Sequence, residues 1–378
     1  MKNKIVKPNY DNSTVNMMSS ILNKYNAKSD YNSIKALDEI INDADNVVLF
    51  ILDGLGNNIL NKVSLNGYFN KNKLCEITSV FPSTTVAAIN TVSTGLTPVE
   101  HGWLGWTLYF SEVGRTIEVF RNKYVGHKEE VTLNYYDILD YENIFTKIKK
   151  NNLKCNYFRP DSIPTNMKDS DNFTYKSFKK GLKSLNNVLN NNLINDKSFT
   201  YFYYDDPDKT LHIKGTKSFI VKYKIRKIEK LIKKSFLKVK SNTVYIISAD
   251  HGLTDIDGYI YLRDDKDIYK MLKHRISIES RASAVFVKDK YKQEFKEVFL
   301  KKYGDIFDVY SKEEVLKDNI LGYGIPHNKV DSFLGDYLVV SKDKWCLHFS
   351  TEHKKLFKAS HAGMTEDEMI VPLIVLKK

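Results

Sequence analysis

At 378 residues, 42% hydrophobic and 28% charged, the chain has a globular composition and room for one large or two medium domains. It has no run of 18 apolar residues, no signal-peptide core in Met1–Pro8, and three scattered cysteines (Cys75, Cys155, Cys346), which argues against a membrane span, a disulfide framework or a cysteine zinc site and for a reducing cytoplasm. The net charge of +12 suits an anionic substrate, but it reads as spread along the chain with no arginine-rich arm, which puts nucleic acid well below small anionic esters.

Helical periodicity marks residues 13–26 and 33–43. After Asn46 the apolar run 47–52 ends in Asp53-Gly54, as a strand buried on both faces would. Asp53 falls where open α/β sheets place ligands, although a turn role fits the dipeptide as well. Residues 78–106 read as a strand end, a turn at Phe81-Pro82, and a helix that stops at Thr94-Gly95. Ser83 or Thr84 can cap that helix. Thr85 falls in its first turn, where backbone N–H groups and the helix dipole favour an anion, and the small residues Val86, Ala87 and Ala88 permit close approach. A threonine hydroxyl there is a candidate nucleophile for phosphorus; the plain alternative is that Thr84 and Thr85 only cap the helix.

An aromatic-rich insertion is expected over 103–140, then a helix over 141–151, a strand over 153–158 and a long amphipathic helix over 172–193. A strand at 198–204 leads to Asp208 and His212, whose spacing of four puts both on one helical face, a common metal-ligand arrangement. A helix over 217–235 leads to a third apolar strand that ends in Asp250-His251-Gly252. Adjacent side chains on a strand point to opposite faces, so both reach one site only where the strand breaks, which Gly252 permits. Short strands at 259–262, 282–287 and 336–340, with helices near 290–302 and 311–317, suggest a small cap at about 255–345. His361 lies in a loop before the last core strand, 369–376.

Three strong strands thus each end in acidic or imidazole groups, with Thr85 and His361 besides. Such ligands suit zinc and related divalent ions. The set resembles the alkaline phosphatase superfamily, and most of all its type I phosphodiesterase/nucleotide pyrophosphatase branch. The matched elements are the strand to Asp53-Gly54, the block from Thr85 through Thr94-Gly95 to His101-Gly102, Pro207-Asp208 with His212, Asp250-His251-Gly252 and His361. They span residues 47–376, and the distance from Thr85 to Thr94-Gly95 equals the family's spacing from nucleophile to Thr-Gly, which selects Thr85 over Thr84.

The resemblance implies one metal on Asp208, His212 and His361, and a second on Asp53, Asp250 and His251 with Thr85 completing its shell. Zinc is the first expectation and manganese the second. Thr85 would attack phosphorus in line to give a phospho-threonine, which water then releases. His101 matches a family position that is not a ligand and reads as structural. The resemblance also implies an α/β fold: one alkaline-phosphatase-like domain over 1–378, a mostly parallel central sheet with helices on both faces, and a small α+β cap.

One departure stands out. Family members usually carry an Asn three residues past the nucleophile, to hold a non-bridging oxygen; here that residue is Ala88. Asn90 is roughly 140° around the helix from Thr85 and so points away. The Val86 N–H and the Arg281 side chain are the remaining substrate-binding candidates. Phosphodiesters or nucleotide pyrophosphates are the expected substrates. The rivals are a phosphomonoesterase or phosphonate hydrolase of the same superfamily, and a non-catalytic metal- or anion-binding protein. The aromatics Trp103, Trp106, Tyr109 and Phe110 would either cover an organic substituent or belong to the core.

Overall fold

A computed structural model of the chain describes residues 4–127, 129–149, 153–165, 167–191, 197–350 and 356–378. Its central sheet has seven strands in the order Lys73–Thr78, Ile370–Lys377, Thr243–Ser248, Asn46–Leu52, Ser198–Tyr204, Lys154–Pro160, Asp171–Tyr175. The five from Thr243–Ser248 to Asp171–Tyr175 are parallel, and Ile370–Lys377 alone runs against its neighbours on both sides. The middle strand, Asn46–Leu52, is buried along its whole length. That explains its unbroken apolar run, since helices cover both faces of the sheet. Each Val, Leu, Ile or Phe buried there stabilises the fold by about 1.5–3 kcal/mol.

The expected helices at 13–26 and 33–43 form as Thr14–Lys24 and Lys35–Ile41. The helix expected over 172–193 is shorter: Asp171–Tyr175 is an edge strand beside Lys154–Pro160, and the helix is Phe178–Asn191. Phe173, Thr174 and Tyr175 are strand formers, and the available sheet edge decides their conformation. Positions 150–151 and 192–193, the predicted ends of two helices, lie outside the described residues.

The expected insertion and cap are not separate additions. Strands at Thr107–Phe110, Arg115–Glu118 and Lys123–Tyr124 extend the antiparallel sheet built by Ser277–Ile278, Ala282–Val285, Tyr337–Ser341 and Phe307–Ser311. Trp103 and Phe110 are buried in the hydrophobic cluster beneath that sheet. No helix among the described residues is long and apolar enough to cross a membrane.

The positive charge is not evenly spread either. Residues 176–191 and 214–240 carry fifteen Lys or Arg against the single acid Glu229, a balance of +14 where the whole chain has +12. These are the helices Phe178–Asn191 and Phe219–Lys238 with their flanks, side by side on one face of the sheet.

Candidate active site

Three adjacent parallel strands deliver the acidic groups to one edge. Asp53 follows Asn46–Leu52, Asp250 and His251 follow Thr243–Ser248, and Asp208 opens the helix Asp208–Lys214 just past Ser198–Tyr204. The strand before Asp250 stops at Ser248, so the Asp and His are freed from strand alternation. Asp250 Oδ1 accepts from the Gly54 and His251 amides at 3.0 and 2.9 Å. Gly252 is obligatory here, because a Cβ on it would lie 2.0 Å from the Asp367 carbonyl oxygen. His361 enters from the loop before the reversed strand Ile370–Lys377, and therefore at the same edge.

Thr85 opens the helix Thr85–Thr94, which ends at Gly95 with φ 71°. Thr84 holds the N-cap position in an extended conformation, but its hydroxyl does not cap. It donates instead to Glu279 Oε1 at 2.7 Å. The first-turn N–H groups of Thr85 and Val86 have no acceptor within the helix, and the dipole places partial positive charge there.

Six predicted ligands and Thr85 come together. His212 Nε2 lies 3.2 Å and His361 Nε2 4.0 Å from Asp208 Oδ1. His251 Nε2 lies 3.6 Å from Asp53 Oδ1, 3.5 Å from Asp250 Oδ2 and 3.1 Å from Thr85 Oγ1. Two tight groups result, Asp208 with His212 and His361, and Asp53 with Asp208 and His251. Asp208 is thus shared, and Asp250 adjoins the second group through His251. The His251 and His361 rings stack with centroids 3.8 Å apart, which joins the two groups.

All three imidazoles are oriented in one way. Nδ1 donates to a backbone carbonyl in each: His212 to Ala359 (2.7 Å), His251 to Gly252 (3.0 Å), His361 to Ser83 (3.2 Å). A carbonyl can only accept, so Nε2 is left as the lone-pair nitrogen, the form a metal needs. The carboxylates show the complementary sign. Asp53 Oδ1, Asp208 Oδ1 and Asp250 Oδ2 are buried with no hydrogen-bond donor among the described residues. Burial, then the charges of Asp250 and Asp208, push Asp53 well above the usual carboxylate range; burial and then Asp250 do the same to Asp208. Burial, then His251 and His212, push His361 well below the usual histidine value. Crowded buried carboxylates facing imidazoles whose Nε2 turns inward are costly unless cations neutralise them, so the donor set fits divalent metal.

Two further residues went unseen in the sequence. Tyr203 donates its hydroxyl to Asp53 Oδ2 (2.5 Å) and so orients that ligand. Nothing in the run of aromatics at 199–204 distinguishes it from its neighbours. Glu279, from the cap sheet, accepts from Thr84 Oγ1 and from the Trp106 amide (2.9 Å), one residue from Thr85. Burial pushes its carboxyl up to about 7.

Arg281 is not a substrate contact. It is fully buried, and its Nε and Nη2 donate to Glu368 Oε1 and Oε2 at 2.6 and 2.9 Å. Glu368 also accepts from the Gly363 and Thr365 amides, so the pair fixes the loop that carries His361. His101 is structural, as expected: its Nδ1 accepts from the Trp103 amide, its Nε2 meets Thr91 Oγ1, and burial pushes its pKa down to about 3. Asn90 points away from Thr85, donating to the Val86 carbonyl and accepting from Tyr141. Of the four aromatics, Trp103 and Phe110 are core, Tyr109 stacks on His274, and Trp106 is half-buried.

A family model for type I phosphodiesterase/nucleotide pyrophosphatase matches residues 47–364. No curated protein matches the chain. Among solved structures it is similar to murine ectonucleotide pyrophosphatase/phosphodiesterase 5, with 19% identity over 86% of this chain and 87% of that one and a TM-score of 0.63. The human counterpart gives 18% identity, the same coverage and a TM-score of 0.65. An inactive threonine-to-alanine form of the murine protein, in complex with AMP, gives 18% and 0.63. At such identities the likeness establishes a shared fold.

Proposed function

The chain belongs to the type I phosphodiesterase/nucleotide pyrophosphatase family, metal-dependent hydrolases of phosphoric esters, and on that premise we propose that Thr85 cleaves phosphodiester or nucleotide pyrophosphate bonds through a phospho-threonine intermediate, in a site that holds two divalent ions. The observation that carries this is the convergence of three donor-less carboxylate oxygens and three pre-oriented imidazoles on the threonine at a helix N-terminus.

Asp208, His212 and His361 would hold one ion, and Asp53, Asp250 and His251 with Thr85 the other. Bound there, the ions lower the pKa of the attacking hydroxyl and offset charge on the phosphoryl and leaving oxygens. The mixed imidazole and carboxylate donors favour zinc, then manganese. Thr85 Oγ forms the new P–O bond as the ester P–O bond opposite it breaks, and water hydrolyses the phospho-threonine in a second displacement. The Thr85 and Val86 amides face the substrate phosphate as fixed donors and take the place of the Asn that Ala88 replaces. In the murine neighbour the threonine-to-alanine form is inactive, so a threonine there is required for activity, in keeping with this role for Thr85.

Diesters are favoured over monoesters by charge. A monoester dianion gains from an extra cation near phosphorus, yet Val86, Ala87, Ala88 and Ile89 supply none, and the residue beside Thr84 is the carboxyl of Glu279. The same proposal places the protein in the cytoplasm, in keeping with three unpaired thiols. The test is kcat/KM for bis-p-nitrophenyl phosphate, a p-nitrophenyl nucleotide ester and p-nitrophenyl phosphate, with and without chelator and with Thr85→Ala. Diester turnover that chelation abolishes, and that Thr85→Ala lowers by several orders of magnitude with metal retained, is expected. Near-normal turnover in Thr85→Ala overturns the threonine, and a clear monoester advantage overturns the substrate class.

A further inference from the structure

The fifteen cations of residues 176–191 and 214–240 form one surface. The helices Phe178–Asn191 and Phe219–Lys238 run side by side in the same direction, tied by Asn186 Nδ2 to the Ser235 carbonyl (2.9 Å) and Asn190 Nδ2 to the Lys238 carbonyl (3.2 Å). Lys179, Lys180, Lys183, Arg226, Lys227, Lys230, Lys234 and Lys238 are exposed on it. Among the described residues, Lys224 is the one cation of the fifteen in an ion pair, with Asp206 at 2.8 Å. The remainder of the chain, with a balance of −2, has no comparable excess.

The same surface carries apolar groups that water does not favour; apart from Leu237 at the far end of the helix, they gather at one end. Phe219 is 77% exposed and Tyr223 62%, with Ile213 and Ile220 beside them. The helix Phe219–Lys238 leads from the site edge of the sheet back to the start of Thr243–Ser248, so its first two turns, which bear Phe219 and Tyr223, lie at the edge that holds the candidate metal ligands. Exposed Leu356 and Phe357 continue the apolar rim, and the Phe357 ring packs 4.3 Å from that of His212. A cavity of about 590 Å³ opens between Lys214, Lys217, Tyr259, Phe357 and Lys358.

We propose that this face docks on an anionic lipid bilayer, with the lysines over the headgroups and Phe219, Ile220 and Tyr223 at the interface, so that the catalytic edge opens onto the membrane. A lysine-dominated field with aromatic and aliphatic groups at its border is the pattern of interfacial helices. A duplex would gain from the cations alone, and single-stranded bases could stack on Phe219 or Tyr223, but neither has a use for the exposed aliphatic Ile213 and Ile220 beside them, which a bilayer interface buries. The inference does not depend on the reaction catalysed.

Vesicle co-sedimentation of the full chain at physiological salt tests it, with phosphatidylcholine alone and with one third phosphatidylserine. Binding to the anionic vesicles and not to the neutral ones is expected. Lys180→Gln, Lys227→Gln, Lys230→Gln and Lys234→Gln together should lower affinity by roughly 600-fold, since each lysine near the surface is worth roughly fivefold. The same charge removed from the cap, by Lys266→Gln, Lys290→Gln, Lys301→Gln and Lys317→Gln, should have little effect. Phe219→Ser with Tyr223→Ser should weaken binding about tenfold at unchanged charge. Equal binding to neutral vesicles, or equal losses from the two lysine sets, overturns the proposal. A preference for an oligonucleotide over anionic vesicles overturns it in favour of nucleic acid.

Discussion

Replacing Tyr203 by Phe removes one oxygen and tests how the site is held. The phenol is 6% exposed, and burial with the Asp53 charge pushes its pKa well above the usual tyrosine value, so it stays protonated and donates. Its partner is Asp53 Oδ2, while Asp53 Oδ1 faces His251 and the proposed metal position. The ring keeps its packing in the variant, and the bond from Tyr175 reaches the Tyr203 backbone carbonyl, so it survives. What is lost is a hydrogen bond to a charged group, worth roughly 1.5–3 kcal/mol. That range spans about 10-fold to about 150-fold in an equilibrium constant, in line with the roughly 10–100-fold seen when an outer partner of a ligand is removed. Competition with a chelator of known affinity reads the two binding steps. The step assigned to Asp53, Asp250 and His251 should weaken by about 10–100-fold, and the step assigned to Asp208, His212 and His361 by much less. Metal affinities within twofold of the parent protein would refute the role of Tyr203, and equal weakening of both steps would refute the division of the ligands.

Arg281→Met leaves the Glu368 charge buried without its partner and should cost about 3–5 kcal/mol of stability, read as a lowered Tm; because Glu368 anchors the His361 loop, the metal bound by His361 should weaken as well. Glu279→Gln removes the carboxyl beside Thr84, so kcat/KM for the monoester should rise relative to the diester; a ratio that stays put argues against a charge filter. Metal binding should strengthen with pH. In the metal-free fold Asp53 and Asp208 hold protons above their ordinary value of 3.8, a penalty on the charged forms that grows as pH rises, while His361, held below 6.5, costs stability only as pH falls through that value. The Tm gap between metal-loaded and metal-free protein should therefore widen as pH rises, and a gap that narrows would contradict the assignment of these carboxylates.

The edge that gathers the candidate ligands was readable in the sequence because its signals are local. A buried parallel strand is a continuous apolar run, and Asp53, Asp208 and Asp250 each announce where one stops. Asp208 and His212 share a helical turn, and Gly252 marks the break that lets Asp250 and His251 face one way. What stayed hidden depends on pairings between distant segments. The Arg281 partner, Glu368, is 87 residues away, so its side chain was read as a substrate contact when it is a strut of the His361 loop. Strands at 107–124 joined those at 277–341, which made one sheet of the expected insertion and cap. The hydroxyl of Thr84 looked like a helix cap and went to Glu279 in that same sheet. Charge read along the chain looked dispersed, and only the lateral packing of two helices gathered it onto one face.

The claim that two divalent ions share the site with Thr85 is tested most directly by anomalous diffraction from crystals of the zinc-loaded protein. Two peaks are predicted, one among Asp208, His212 and His361 and one among Asp53, Asp250, His251 and the Thr85 hydroxyl. A single peak, or zinc held away from Thr85, would contradict the two-metal site from which the chemistry was derived.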